Sequence, residues 1–137
     1  FLHNFGVVAN YTYVDSKVDY SAPGSDTPNY GPLVGLSEDS WNFTLYFENE
    51  TFGARVSANH RSDYLIRFPD RGVMDSTYVD FSSHWNINQS WQLTFEVVNM
   101  TDEFFDQRHI AGEPEVARPY VYHHTGRNFF IGARWKY

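Results

Sequence analysis

Asn128-Phe129-Phe130-Ile131-Gly132-Ala133-Arg134-Trp135-Lys136-Tyr137, the last ten residues of the chain, decide its fold class. Phe129, Ile131, Ala133, Trp135 and Tyr137 share one parity, while Asn128, Phe130, Gly132, Arg134 and Lys136 share the other. Successive side chains of an extended chain point to opposite faces, so this spacing predicts a β-strand with one apolar and one polar side. Five earlier segments repeat it: Phe5, Val7, Ala9, Tyr11, Tyr13; Trp41, Phe43, Leu45, Phe47; Phe52, Ala54, Val56, Ala58; Val79, Phe81, Ser83, Trp85, Ile87; and Trp91, Leu93, Phe95, Val97. Over the six segments 26 of 27 positions of one parity are apolar, against 5 of 27 of the other, so the two faces are built for different surroundings.

Composition narrows the class further. With 26 Phe, Tyr and Trp in 137 residues and a charged fraction of only 20%, the chain is not disordered. The absence of Cys excludes a disulfide scaffold and a thiolate metal site. Apolar runs stop at three residues, such as Val7-Val8-Ala9, far short of the roughly 20 that a membrane helix needs. A net charge of -7 argues against a general grip on nucleic acid, which depends on basic residues neutralising phosphates.

Alternation alone also fits a soluble β-sandwich. Two features favour an outer-membrane barrel instead. Connections alternate in length: about 27 residues, a tight turn at Asn49-Glu50, about 20 residues, a tight turn at Asn88-Gln89-Ser90, then about 30 residues. Short turns on one side and long loops on the other are the habit of outer-membrane barrels, which sets the expected extracellular loops at 14-40, 61-77 and 99-127. Aromatic residues also fall in two bands. Phe47, Phe52, Trp85, Trp91, Trp135 and Tyr137 gather at the tight-turn end, and Tyr11, Tyr13, Trp41, Phe43 and Phe129 at the other. Such bands are the girdles that seat at the two headgroup layers, and a sandwich core gives no reason for them.

Six strands do not close a spanning sheet, because lipid leaves unpaired edge amides unsatisfied, and the smallest bacterial barrels have eight strands. The first segment begins inside its own strand pattern and the chain opens on Phe1 with no basic and apolar leader, so it is expected to be a piece of something larger.

Four stretches carry a family resemblance. Leu36-Ser37-Glu38-Asp39-Ser40-Trp41-Asn42-Phe43-Thr44-Leu45-Tyr46-Phe47-Glu48 and Phe52-Gly53-Ala54-Arg55-Val56-Ser57-Ala58-Asn59-His60-Arg61-Ser62-Asp63-Tyr64 resemble late strands of TonB-dependent receptors. So do Leu93-Thr94-Phe95-Glu96-Val97-Val98-Asn99-Met100-Thr101-Asp102-Glu103 and the terminal stretch from Gly126 to Tyr137, in wording nearest the Xanthomonas/Caulobacter-type branch. The resemblance implies an all-β fold, an antiparallel up-and-down transmembrane β-barrel of 22 strands, of which residues 1-137 are the last six. The plug domain and the earlier strands would lie outside the chain. It further implies a place in the bacterial cell outer membrane and import of a scarce nutrient, an oligosaccharide or else a metal chelate such as a siderophore. Its partners would be outer-membrane lipid, its own plug, the TonB complex, the barrel-assembly machinery and the substrate. No cofactor and no catalysis are implied. Phe129, Ile131, Trp135 and Tyr137 would form the assembly signal, with Tyr137 the terminal aromatic residue.

Among polar-face residues, Arg55, Asp80, Glu96 and Arg134, with Lys136, are candidates for contact with a plug, set against the plainer reading of a solvated or mutually paired wall. Substrate candidates lie in the long connections: Tyr64, Arg67, Phe68, Phe104, Phe105, Arg108, His109, Tyr120 and Tyr122. Flat rings beside fork-shaped polar groups suit a sugar's apolar face and hydroxyls; equally, the rings would serve to hold the loops together. His123-His124, with His109 and Glu113, invites a metal reading, but neighbours on an extended chain point apart, so no metal site is expected. The carboxylate pairs Glu38-Asp39 and Asp102-Glu103 lack a nucleophile or oxyanion donors, so no enzyme is expected. Sequons at Asn10, Asn42, Asn49, Asn88 and Asn99 are explained by chance and strand polarity, with Asn49 and Asn88 expected in tight turns because Asn tolerates the backbone angles needed there. The rival architectures are a soluble carbohydrate-binding β-sandwich and a small passive pore made of several copies.

Overall fold

The computed structural model describes residues 2–110 and 118–137. A 3-10 turn at Leu2–Asn4 leads into β1 (Phe5–Tyr13), so strand geometry sets in at Phe5. The strands β2 (Val18–Asp19), β3 (Tyr30–Gly31), β4 (Asp39–Glu48), β5 (Phe52–Arg61), β6 (Tyr64–Arg67) and β7 (Arg71–Val73) follow. Then come β8 (Ser76–Asn86), β9 (Trp91–Val98), β10 (Phe105–His109), β11 (Arg118–His123) and β12 (Asn128–Trp135). The six long strands are the six alternating segments, and they form one antiparallel sheet in the order β1-β4-β5-β8-β9-β12. All neighbours are consecutive hairpin partners, and β1 and β12 are its two edges.

Register keeps the apolar parity together across every strand. One hydrogen-bonded row reads Val7, Leu45, Val56, Phe81, Val97, Phe129, and the next reads Phe5, Phe47, Ala54, Ser83, Phe95, Ile131. Opposed residues share a face, so one side of the sheet is apolar from edge to edge. The polar side reads Gly6, Tyr46, Arg55, Ser82, Glu96, Phe130. Here a ring lies flat over a glycine of the next strand: a Cβ at Gly6 would collide with the Tyr46 ring, and one at Gly53 with the His84 imidazole. Only a residue without a side chain admits that approach.

Both tight turns use one device. Asn49 Oδ1 accepts from the amides of Thr51 (2.9 Å) and Phe52 (2.7 Å), and Asn88 Oδ1 accepts from Ser90 and Trp91 (both 2.9 Å). The expectation that Asn stands there for its tolerance of unusual backbone angles is thereby corrected, because its side chain closes the turn as an acceptor. Among the described non-glycine residues positive φ occurs at Asn99 (59°) and Asp102 (64°), where β9 leaves the sheet.

The long connections are more ordered than the sequence reading expected. In place of structureless loops, 61-77 and 99-127 contain β6, β7, β10 and β11, which join as a second sheet in the order β11-β10-β7-β6. That order repeats the order of the parent strands, so the second sheet prolongs the hairpins β5/β8 and β9/β12. Connection 14-40 carries the short pair β2/β3.

Little of the chain is interior. Among the described residues the buried apolar side chains are Val73 and Val97. On the apolar face of the large sheet Val7 is 60% exposed, Tyr11 65%, Phe129 64%, Ile131 85% and Trp135 58%, so no second sheet covers this stripe. An apolar surface of this extent is far beyond the single exposed side chains of an ordinary soluble domain.

The aromatic bands run obliquely to the strands. Measured from the row of Phe5 and Phe47, Phe52 and Trp85 stand two residues further toward the tight turns, Trp91 and Trp135 four, and Tyr137 six. At the opposite end Tyr13 stands eight residues above that row, Tyr11 and Trp41 six, and Phe129 only two. Both bands therefore drift the same way, by four to six residues over five strand-to-strand steps. One residue of ~3.4 Å per strand spacing of ~4.8 Å inclines the strands by about 35° to the normal of the bands.

Candidate functional site

The outer four-stranded sheet gathers most of the substrate candidates. Its register sets Arg67 opposite Arg71, Arg71 opposite His109, and His109 opposite Arg118, one residue from each strand and all on one face. Asp70, in the turn between Arg67 and Arg71, ties the row together. Arg67 Nε donates to Asp70 Oδ1 at 2.7 Å, a second guanidinium nitrogen pairs with Oδ2, and His109 Nε2 lies 3.2 Å from the same oxygen. The hydrogen bonds from Arg67, with the nearby positive charge, hold the Asp70 carboxyl down at about 2, well below the usual carboxylate range. The same pairing raises the Arg67 guanidinium above its ordinary value. Arg71 pairs with no carboxylate among the described residues. Its guanidinium lies 3.9 Å from the centre of the Tyr120 ring, and its Nε is buried without an acceptor.

Arg108 belongs elsewhere. It donates to Asp106 Oδ2 at 2.7 Å, and that carboxylate is 5% exposed with its other oxygen unpaired. The fork raises the Arg108 guanidinium, chiefly through the Asp106 hydrogen bond.

The candidate rings are engaged with neighbours. Tyr64 lies under the Arg61 guanidinium at 3.8 Å, and Phe68 stacks on Tyr20 at 4.2 Å while lying against Gly31. Phe104 stacks on Tyr122 at 4.7 Å and meets His124 edge-on at 6.3 Å. Phe105 is half-buried opposite His123. These contacts support the plainer reading, in which rings hold the connections together. Tyr120 and Tyr122, 49% and 58% exposed, are the two with most surface left. Six of the nine candidates thus fall into three groups: Arg67, His109 and Tyr120 around Asp70 and Arg71; Phe104 and Tyr122; and Phe68 with Tyr20. Tyr64, Phe105 and Arg108 stand apart, beside Arg61, His123 and Asp106.

On the polar side of the large sheet, a groove of 310 Å³ is lined by Tyr46, Glu48, Arg55, His84, Gln92 and Glu96 among others. Arg55 and Glu96 stand in one row with Ser82 between them, two strand spacings or ~9.6 Å apart, and form no ion pair. Asp80 accepts from the Asn99 amide at 2.9 Å, so it holds the end of β9. Arg134 stands opposite Gln92 at the tight-turn end. Phe129, Ile131, Trp135 and Tyr137 lie along the open edge strand and its extension, all more than half exposed.

Among the described residues no three His, Asp or Glu side chains gather as a metal set. His124 Nε2 instead lies 3.0 Å from Asp102 Oδ1, and Glu113 lies outside the described residues. Glu38 accepts from the Tyr13 hydroxyl at 2.9 Å and Asp39 from that of Tyr11.

Two residues of this region escaped sequence reasoning. Arg118 joins the basic row only because β10 and β11 pair, and Asp106 is the buried partner of Arg108. The available signal was the alternation Arg118, Tyr120, Tyr122, which falls inside the connection 99-127. No family model, curated protein or solved structure matches the chain.

Proposed function

We propose that the chain is part of the wall of a TonB-dependent outer-membrane importer of a scarce nutrient, an oligosaccharide or a metal chelate. The observation that carries this reading is the parallel drift of two aromatic bands across an uncovered apolar sheet face. Barrel strands tilt by 35–45°, and a belt lying level in the membrane must then cross them at about one residue per strand, the drift measured above. The apolar rows between the bands supply the surface that acyl chains would touch, and the polar side supplies a wall for water and a plug. In this reading β1 pairs with the preceding strand of the barrel and β12 with its first, which satisfies both edges. The barrel wall performs no bond chemistry; it holds the outer sheet where a substrate arrives and leaves transport to the plug and the TonB complex.

All four tryptophans, Trp41, Trp85, Trp91 and Trp135, stand on the apolar parity, which makes their fluorescence a direct test. In vesicles of lipids brominated near the headgroup, emission is expected to be quenched more strongly than with bromine deep in the acyl chains. Quenching by neither lipid would sink the membrane assignment, and with it the importer.

A further inference from the structure

We infer that the row Arg67, Arg71, His109 and Arg118 is a binding site for a multiply charged anion carrying phosphate or carboxylate groups. Register alone puts the four on one face across four strands, and three strand spacings span ~14 Å. One carboxylate, Asp70, stands among them, and it is already shared by Arg67 and His109. Arg71 and Arg118 pair with no carboxylate among the described residues, so two guanidinium groups stand in this row without a described counter-charge in a chain of net charge -7. Arg71 is held in place by the Tyr120 ring at 3.9 Å, and Arg67 is fixed by its fork to Asp70. Planar forks set in advance match phosphate and carboxylate oxygens two at a time, and a preset donor loses little freedom on binding. A neutral sugar has no such need of three guanidinium groups and an imidazole in one row. The Asp70 carboxylate orients the row from within and makes it selective against monoanions, which gain too little to offset its repulsion. The cluster exists whether or not the large sheet meets lipid.

Phosphate groups reach an outer sheet from two sources, a dissolved ligand or the lipid A headgroup, and the test separates them. The full-length protein in detergent micelles is titrated calorimetrically with tripolyphosphate and, separately, with neutral maltohexaose. It is also floated with phosphatidylcholine vesicles with and without lipid A. Tripolyphosphate is expected to bind and to be weakened about tenfold or more in Arg71→Gln/Arg118→Gln, as loss of two charge-assisted contacts requires. Arg118→Gln alone, which breaks no described contact, is expected to weaken it about threefold, and Arg71→Lys, which keeps the charge but loses the stacked fork, to weaken it about threefold as well. Lipid A flotation lost in the double variant, with tripolyphosphate unbound by either protein, supports the same site with lipid as the source. Equal behaviour of wild type and double variant toward both probes overturns the site, as does maltohexaose binding that the substitutions reduce equally.

Discussion

The large sheet and the outer sheet are held by different chemistry. In the large sheet the backbone ladder does almost everything: side chains sort by parity, and the apolar face carries no ion pair among the described residues. In the outer sheet the strands are short, the register slips at Leu65/Arg67 and at Gln107/Arg108, and side chains take over. Arg67 with Asp70, Arg71 with Tyr120, and Phe104 with Tyr122 hold what three to six residues of ladder hold only weakly. The large sheet is expected to tolerate change wherever parity is respected, whereas the outer sheet depends on particular pairs.

The largest expected effect falls on the large sheet. Leu45 and Thr44 are neighbours in the middle of β4, Leu45 between Val7 and Val56 on the apolar side, Thr44 between Val8 and Ser57 on the polar side. Leu45→Arg is expected to cost roughly 2–4 kcal/mol of folding stability in lipid vesicles, and Thr44→Arg less than about 1 kcal/mol. Urea unfolding followed by electrophoretic mobility reads both; equal costs would erase the distinction between the faces.

The next probes the joint between the two sheets. Asn99 is 3% exposed; its amide donates to Asp80, its Nδ2 to the carbonyl of Glu103 at 2.7 Å, and its Oδ1 accepts from the Glu103 amide at 2.8 Å. Asn99→Leu loses the side-chain bonds and sets a branched residue at positive φ, at a cost of about 2–3 kcal/mol. Hydrogen exchange should quicken at Met100 to Glu103 and stay unchanged in β4 and β5. Uniform quickening across the large sheet would show that wall and outer sheet unfold as one.

The smallest effect is confined to the outer sheet. The depressed Asp70 carboxyl makes its link to Arg67 and His109 a contribution fully present above its ordinary value near 3.8 and lost as pH falls toward about 2. Carbon NMR of the labelled carboxyl should find its midpoint near that low value, and Arg67→Gln should return it toward the ordinary one. A midpoint that ignores the substitution would remove Arg67 as the cause.

What was legible follows from the same contrast. Parity is a local property, so the six long strands, both tight turns and the shared apolar face were readable from residues such as Leu45 and Ile131 without knowing any partner. The outer sheet was not, because its order lies in meetings of distant positions. Nothing in Tyr20 announces Phe68, and nothing in Arg71 announces Tyr120, 49 residues later. The division of the substrate candidates came from the same source: Arg108 and His109 are adjacent, yet alternation sends them to opposite faces, one to Asp106 and the other to Asp70.

The pairing of β7 with β10 has a mechanical consequence. It joins the second and third connections into a single plate, attached to the large sheet through Ser62-Asp63, Met74-Asp75, Asn99 to Phe104 and His124 to Arg127. With β7 and β10 paired, a displacement of one connection is expected to carry the other, and a molecule seated on the plate to ride with both.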